Sequence, residues 1–127
     1  MSRKRSSIIT ILLLYIWIAA LLLIAALLLW SATHPTIPIH WTTESELDVT
    51  GYNLYRADDP NGHFHKINTD LLPPAADPFL AGDHNFVDTG VRWGQTYYYQ
   101  LETIRRDGGT SRGDIISLKA VFRLLTP

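Results

Sequence analysis

The chain contains five histidines, which are its residues best suited to hold a metal ion. His63 and His65 are two residues apart, which puts both on one side of an extended segment. Zinc requires three or four converging nitrogen, sulfur or oxygen ligands, so a third ligand such as His84 would have to arrive from a distant loop. The chain has no cysteine. We therefore expect surface histidines, no metal and no cofactor; zinc bound by these three histidines in an envelope enzyme is the alternative.

Carboxylates are the other groups that could do chemistry. Glu44, Glu46 and Asp48 alternate along one segment, but they lack the Asp-x-Asp-x-Asp-Gly order with which a loop wraps calcium. Acid–base catalysis needs two carboxylates in one pocket with separated pKa values, and no spacing here places a pair in one. The sequence also lacks a nucleophile elbow, a phosphate-binding loop and a dinucleotide fingerprint. We predict a polar turn here, in a protein that is not an enzyme and has no small-molecule substrate.

One segment is assigned to the lipid bilayer by its composition. Residues 8–30 contain no charge, no glycine and no proline. A helix of this length spans roughly 34 Å, enough to cross a hydrocarbon core of about 30 Å. The run is longer than the apolar region of a signal peptide, and Trp30-Ser31-Ala32 does not resemble a cleavage site. We therefore expect an uncleaved single-pass anchor.

The basic residues predict the orientation of this anchor in a cell membrane. Arg3, Lys4 and Arg5 precede it, and no basic residue follows it until Arg56. Because cytoplasmic flanks are enriched in Lys and Arg, we expect residues 1–7 in the cytoplasm. Beyond a linker at residues 31–36, residues 37–127 are then extracytoplasmic, either periplasmic or at the cell surface.

Residues 37–127 predict a small β module. It contains 8 of the basic residues and all 12 acidic residues of the chain, so its net charge is −4 (8 − 12). Because phosphate backbones are bound mainly by Lys and Arg, nucleic acid is not an expected partner. Strands are predicted at 37–41, 51–56, 64–67, 85–88, 96–104 and 115–122, separated by turn residues and with Gly108-Gly109 opening the last hairpin. Alternation puts two sets of side chains on inner faces, namely Tyr52 and Leu54, and Tyr97, Tyr99 and Leu101.

This pattern resembles the fibronectin type III modules of bacterial envelope proteins over residues 37–122. In that variant, a strand ending in Trp leads through an acidic turn to a strand reading Gly-Tyr/Phe-Asn-Leu-Tyr-Arg. The matching residues are Trp41, Thr43-Glu44-Ser45-Glu46, Asp48, Gly51-Tyr52-Asn53-Leu54-Tyr55-Arg56, Gly62, Phe64, Lys66-Ile67-Asn68, Phe86, Asp88-Thr89, Gly94 and Thr96-Tyr97-Tyr98-Tyr99-Gln100-Leu101-Glu102.

The resemblance implies an all-β, immunoglobulin-like β-sandwich. It makes Trp41 the core tryptophan and Tyr97 the corner tyrosine, whose hydroxyl bonds to the backbone. The first strand of such modules should precede Ile37, yet only residues 31–36 separate Trp30 from it. We therefore expect that strand to be missing or vestigial, which leaves an edge that something must cover.

The triplet Arg112-Gly113-Asp114 lies where some animal modules of this family display an integrin-binding motif. Such a motif works at the tip of a loop, whereas Asp114 here leads directly into Ile115-Ile116. The sequence therefore predicts that the triplet begins a strand, and a three-residue match occurs easily by chance.

Partner contacts are expected at three places. Tyr15 and Trp17 lie deep in the bilayer, where their polar atoms either face a neighbouring protein helix or are tolerated in lipid. The loop 68–83 is apolar and stiffened by prolines, and we expect it to dock beside the membrane unless it folds back to cap the sandwich. The predicted contact residues are Tyr15 and Trp17 in the helix, Leu71, Leu72, Phe79 and Leu80 in the loop, and Phe122, Leu124 and Leu125 in the C-terminal tail.

Together these features predict a non-catalytic accessory subunit of a larger bacterial membrane complex, with a structural or assembly role. Its partners are then other membrane-protein subunits and the lipid bilayer. Accessory subunits of respiratory or photosynthetic electron-transfer complexes offer an analogy. The alternative is a membrane-tethered recognition or adhesion module that binds a protein or glycan through the face carrying Tyr55 and Tyr98.

Overall fold

The computed structural model describes the backbone of residues 2–121 and the side chains of residues 7–30 and 32–121. It divides into two compact units, Met1–His34 and Pro35–Pro127. The first unit is a single helix, α1 (Ser2–Thr33), of which Ser7–Trp30 is long and apolar enough to cross a membrane. Its large apolar side chains are exposed on every side. Near its end, the hydroxyl of Thr33 donates to the carbonyls of Leu29 and Trp30, at 3.0 and 3.1 Å.

Up to residue 121, the second unit contains seven strands in two antiparallel sheets. The strands are β1 (Ile37–Thr43), β2 (Val49–Ala57), β3 (His65–Lys66), β4 (Gly82–Asp88), β5 (Thr96–Arg105), β6 (Thr110–Arg112) and β7 (Ile116–Lys119). β1 pairs with β4 in a two-stranded sheet. The second sheet has the order β3-β2-β5-β6, and β7 also pairs with β5. The predicted all-β, sandwich-like architecture is therefore present.

Alternating side chains of the two sheets form the core. On β1, Ile37 and Ile39 are buried, whereas Pro38 and His40 between and after them are exposed. Of the predicted core residues, Tyr52, Leu54, Tyr97 and Tyr99 are buried, and Trp41 and Leu101 are partly buried against the same cluster. Within residues 2–121, the Nε1 atom of Trp41 is buried without a hydrogen-bond partner.

The last predicted strand is two strands in the structure. Glu102 of β5 lies opposite Arg112, and Tyr99 lies opposite Ile116. Two residues of β5 between these pairs therefore face three residues, 113–115, which is the geometry of a β-bulge. The prediction that the Arg-Gly-Asp triplet begins a strand is wrong, because Arg112 ends β6 and the other two residues lie in the bulge.

The register of β1 defines two ends of the sandwich. Ile37 lies beside Asp88 and Thr43 beside Gly82. The chain enters the sandwich at Ile37, so we name this the entry end; the opposite end, roughly 20 Å away, is the far end. The connection 67–81 runs back along β2 and joins β4 at Gly82, which places it at the far end.

The outer edge of β1 carries no further strand within residues 2–121. Beside this edge lies an open cleft of about 320 Å³ between the two sheets. Its apolar lining comes from Ile39, Trp41, Leu54, Tyr99, Leu101 and Ile116. The open edge is where a strand preceding β1 would pair.

Candidate interaction site at the far end

The far-end loop is anchored where it leaves β3. The side-chain oxygen of Asn68 accepts the backbone N–H of Leu54 at 2.7 Å, and its amide donates to the carbonyl of Asp70 at 2.8 Å. Two residues further on, Leu72 and Tyr52 exchange backbone hydrogen bonds of 2.8 and 3.0 Å. The first half of the loop is therefore attached to β2 by both side-chain and main-chain bonds.

The second half of the loop is held by one buried carboxylate. Glu46 is 1 % exposed and lies in the turn between β1 and β2. Its Oε1 atom accepts hydrogen bonds from Thr43 Oγ1 at 2.7 Å, Tyr52 Oη at 2.6 Å and His84 Nε2 at 2.6 Å. Its Oε2 atom accepts the backbone N–H of Ala75, and its own N–H donates to the carbonyl of Pro78 at 2.9 Å. Glu46 thus joins β1, β2, β4 and the loop.

The surroundings of Glu46 keep it ionised. Burial raises the pKa of the carboxyl, but the hydrogen bonds from Tyr52, Thr43, Ala75 and His84 outweigh burial and lower it to about 2. Burial and the neighbouring carboxylate in turn raise the pKa of Tyr52. At neutral pH every neighbour of Glu46 acts as a donor to a carboxylate that holds no proton. Such a group positions a loop and is unsuited to act as a general acid.

Close approach of the backbone completes the attachment. A Cβ atom on Gly51 would lie 2.6 Å from a side-chain carbon of Leu71 and 2.6 Å from the backbone oxygen of Leu72. Only glycine therefore allows the loop to lie this near to β2. The contact fixes the position of the loop relative to the second sheet.

The anchored loop and the neighbouring turn present apolar side chains outward. Phe79 is 74 % exposed, Leu80 62 %, Leu47 51 % and Leu71 42 %. We name these four residues the far cap. Their backbone is held by the contacts of Glu46 and Asn68, so the far cap is an exposed apolar surface on an ordered support, which is typical of an interaction site.

The predicted contact residues have different positions in the structure. Leu71, Phe79 and Leu80 belong to the far cap, whereas Leu72 is partly buried against the core. Leu72, whose backbone pairs with Tyr52, thus matches the alternative in which the loop folds back onto the sandwich. Tyr15 and Trp17 are exposed on α1. The other three, Phe122, Leu124 and Leu125, lie outside the described residues.

The histidines considered as zinc ligands are separated. The ring of His84 is stacked on Trp41 with 5.0 Å between centroids, and its Nε2 is bound to Glu46. His65 Nε2 instead lies 3.4 Å from a guanidinium nitrogen of Arg56. No group of three or more His, Cys, Asp or Glu side chains that could hold a metal ion occurs in the described part of the chain.

The arginine of the Arg-Gly-Asp triplet is engaged within the sheet. Its Nε donates to Glu102 at 3.2 Å, and its guanidinium lies 4.1 Å from the centre of the Tyr55 ring. Asn53 and Tyr55 also donate to Glu102, at 3.1 Å each. Arg112 therefore covers a buried carboxylate, and the triplet does not project from a loop tip.

Glu46 and Asn68 are the site residues that sequence reasoning missed. The sequence predicts a polar turn at Glu46, because this residue alternates with two other acids. Its partners Ala75 and His84 are far away in sequence, so no local spacing indicates its burial.

Comparisons of the chain with protein-family models, with curated proteins and with solved structures found no significant match.

Proposed function

We propose that this protein is a non-catalytic accessory subunit of a larger membrane complex, which it joins through a transmembrane helix and the far cap. The observation that carries the proposal is the far cap itself. Phe79 and Leu80 are exposed on a loop that a buried carboxylate and a backbone bond to Pro78 hold in place. A loop whose backbone is already held loses little conformational entropy on binding, which favours a stable protein contact.

The membrane part of the proposal is supported by the helix. Ser7–Trp30 is apolar on all sides and long enough to cross a bilayer. The basic residues at positions 3–5 favour a cytoplasmic N-terminus and an extracytoplasmic β module. A larger complex would offer partners to both Tyr15 and Trp17. Bacterial electron-transfer complexes are one class with accessory subunits of this size.

The β module is proposed to be a fibronectin type III-like sandwich that lacks its first strand. The hydroxyl of Tyr97 accepts the backbone N–H of Arg92 at 2.9 Å, the kind of bond that the resemblance implies for a corner tyrosine. Trp41 packs at the edge of the core, and the free edge of β1 fits the loss of a preceding strand. Such modules serve mainly as spacers and recognition surfaces.

The alternative, adhesion through an exposed tyrosine face, is less well supported. Tyr55 and Tyr98 are both only half-exposed, and the guanidinium of Arg112 covers the ring of Tyr55. The same arginine is the first residue of the triplet that would bind integrins. Neither feature therefore offers a free recognition surface, whereas the far cap does.

Purification of the full chain from native membranes in mild detergent tests the proposal. We expect fixed, stoichiometric protein partners with the wild type, and their loss when Phe79→Ser and Leu80→Ser are combined. Val87→Ser with Ile115→Ser is the matched control, because these residues are 53 % and 45 % exposed but lie away from the far cap. Recovery of the wild type only as a free monomer would refute the proposed function. Retention of partners by the far-cap variant would refute the assignment of the site.

The absence of cysteine allows the orientation to be measured directly. Single-cysteine variants Ser2→Cys and Ser111→Cys are labelled in intact cells with a membrane-impermeant maleimide. We expect labelling at position 111 and none at position 2 until the membrane is disrupted. The reverse pattern would place the β module in the cytoplasm and contradict the proposal.

A further inference from the structure

We propose that the far cap binds a protein surface on which basic side chains surround an apolar pocket. The inference rests on the proposed docking function and names the chemistry of the partner. The far cap consists of apolar side chains, and what surrounds them decides which protein they fit.

In the two segments that carry the far cap, every charged residue is an acid. Residues 44–48 and 69–83 contain six carboxylates and no Lys, Arg or His. One of the six, Glu46, is buried; the other five are exposed, namely Glu44, Asp48, Asp70, Asp77 and Asp83. In sequence, Asp48 follows Leu47, Asp70 precedes Leu71, and Asp77 is two residues before Phe79. The apolar side chains are therefore interleaved with negative charge.

Basic residues at the far end are fewer than the acids. Two arginines lie where β5 ends and its hairpin with β6 begins. The backbone N–H of Arg106 donates to the backbone carbonyl of Asp48, and the Nε atom of Arg105 lies 3.7 Å from the carboxylate of Asp107. His40, on β1, binds Asp83 at 2.7 Å. The far end as a whole still has seven acidic against two arginine side chains.

This arrangement selects among the possible occupants. An apolar centre with a charged rim binds best where the partner has an apolar pocket and a rim of the opposite sign. A second copy of the same surface would bring like charges together, and an anionic lipid headgroup would be repelled as well. The charge therefore favours a cationic protein, and it also accelerates the encounter with one.

The experiment uses the complex that the full chain forms in mild detergent. Its recovery is measured between low and high NaCl, both with and without EDTA. The far-end variant combines Glu44→Lys with Asp70→Lys, two exposed acids whose side chains do not hold the loop. The matched control combines Asp58→Lys with Asp114→Lys, which changes the net charge equally at exposed positions elsewhere. We expect about tenfold weaker partner binding for the far-end variant, less than about twofold for the control, and binding by the wild type that falls as salt increases.

The outcomes separate this inference from the function on which it rests. A complex that forms but responds equally to both charge variants, or not at all to salt, overturns the basic partner while the docking function stands. Loss of the complex in EDTA alone would mean that a cation bridges the acids, which also overturns the inference. A partner composed of a second copy of this chain, shown by mass determination, would overturn it too. Failure to recover any complex with the wild type would instead refute the docking function.

Discussion

Replacing Glu46 by glutamine removes the buried charge of the far end while preserving the size of the side chain. The fall in the carboxyl pKa from its ordinary value of 4.5 to about 2 corresponds to about 3 kcal/mol of folding stability at neutral pH. The oxygen of the glutamine side chain can take the position of Oε1, where three donors converge. The NH2 group of the glutamine then takes the position of Oε2 and faces the backbone N–H of Ala75, which loses its acceptor. We expect the variant to be less stable by about 3 kcal/mol and to loosen the loop near Ala75.

The sign of the pH dependence follows from the lowered pKa. A carboxyl that is more acidic when folded stabilises the fold fully above its unfolded pKa and loses that contribution as the pH falls toward its folded pKa. The difference between the wild type and Glu46→Gln should therefore be largest at neutral pH and shrink between about pH 4.5 and about pH 2. Desolvation opposes this effect, and the four hydrogen bonds exceed it.

Denaturant unfolding of the full chain in nonionic micelles measures the difference, followed by the near-ultraviolet circular dichroism of the aromatic side chains. Glu44→Gln is the matched control, since Glu44 is an exposed acid in the same turn and should change stability by less than about 0.5 kcal/mol. If Glu46→Gln is as stable as this control at pH 7, the carboxylate does not hold the loop. A difference that stays constant down to about pH 2 would show that its charge is not responsible.

Two further substitutions test how the loop and the sandwich are held. Gly51→Ala should lower the free energy of unfolding by about 2 kcal/mol, because its new Cβ would lie 2.6 Å from atoms of the loop. Gly113→Ala is the control, since a Cβ there would have its nearest neighbour at 3.8 Å and should change the free energy of unfolding by less than about 0.5 kcal/mol. Equal effects of the two substitutions in denaturant unfolding would show that the loop does not need this close approach. Tyr97→Phe should lower the free energy of unfolding by about 1 kcal/mol, because the backbone N–H of Arg92 loses its acceptor. Tyr98→Phe, on the opposite face of the strand, is the control and should leave the stability nearly unchanged. If Tyr97→Phe is equally neutral, Tyr97 is not a corner tyrosine.

The strands were predictable because their signal is local. The alternation in Thr96–Ile104 places Tyr97 and Tyr99 inside, and the structure buries both. Turn residues fixed most strand ends to within a few residues. The bulge at 113–115 was not predictable, because an extra residue in one strand is determined by its pairing with β5 rather than by its own sequence.

The far end was predicted only in part, because its arrangement depends on contacts that are distant in sequence. Leu71 and Leu72 are adjacent and chemically identical, yet a backbone pairing with Tyr52 turns one inward and leaves the other exposed. Glu46 and Glu44 lie two residues apart in the same acidic turn. Glu46 is buried only because the turn brings it within reach of Tyr52 and the loop, a consequence of how β1, β2 and β4 are arranged.

The structure repeats one kind of polar contact in three places, in which a carboxylate accepts a tyrosine hydroxyl and also binds a nitrogenous side chain. The three sets are Glu46 with Tyr52 and His84, Asp88 with Tyr99 and Arg56, and Glu102 with Tyr55 and Arg112. An arginine carries a permanent charge, so it neutralises the carboxylate that it binds. Only the set at the far end uses an imidazole, which donates through a single N–H and does not require a positive charge to do so. Glu46 therefore differs from the other two carboxylates in its nitrogenous partner, and its hydrogen bonds join β1, β2 and β4 to the loop that carries the far cap.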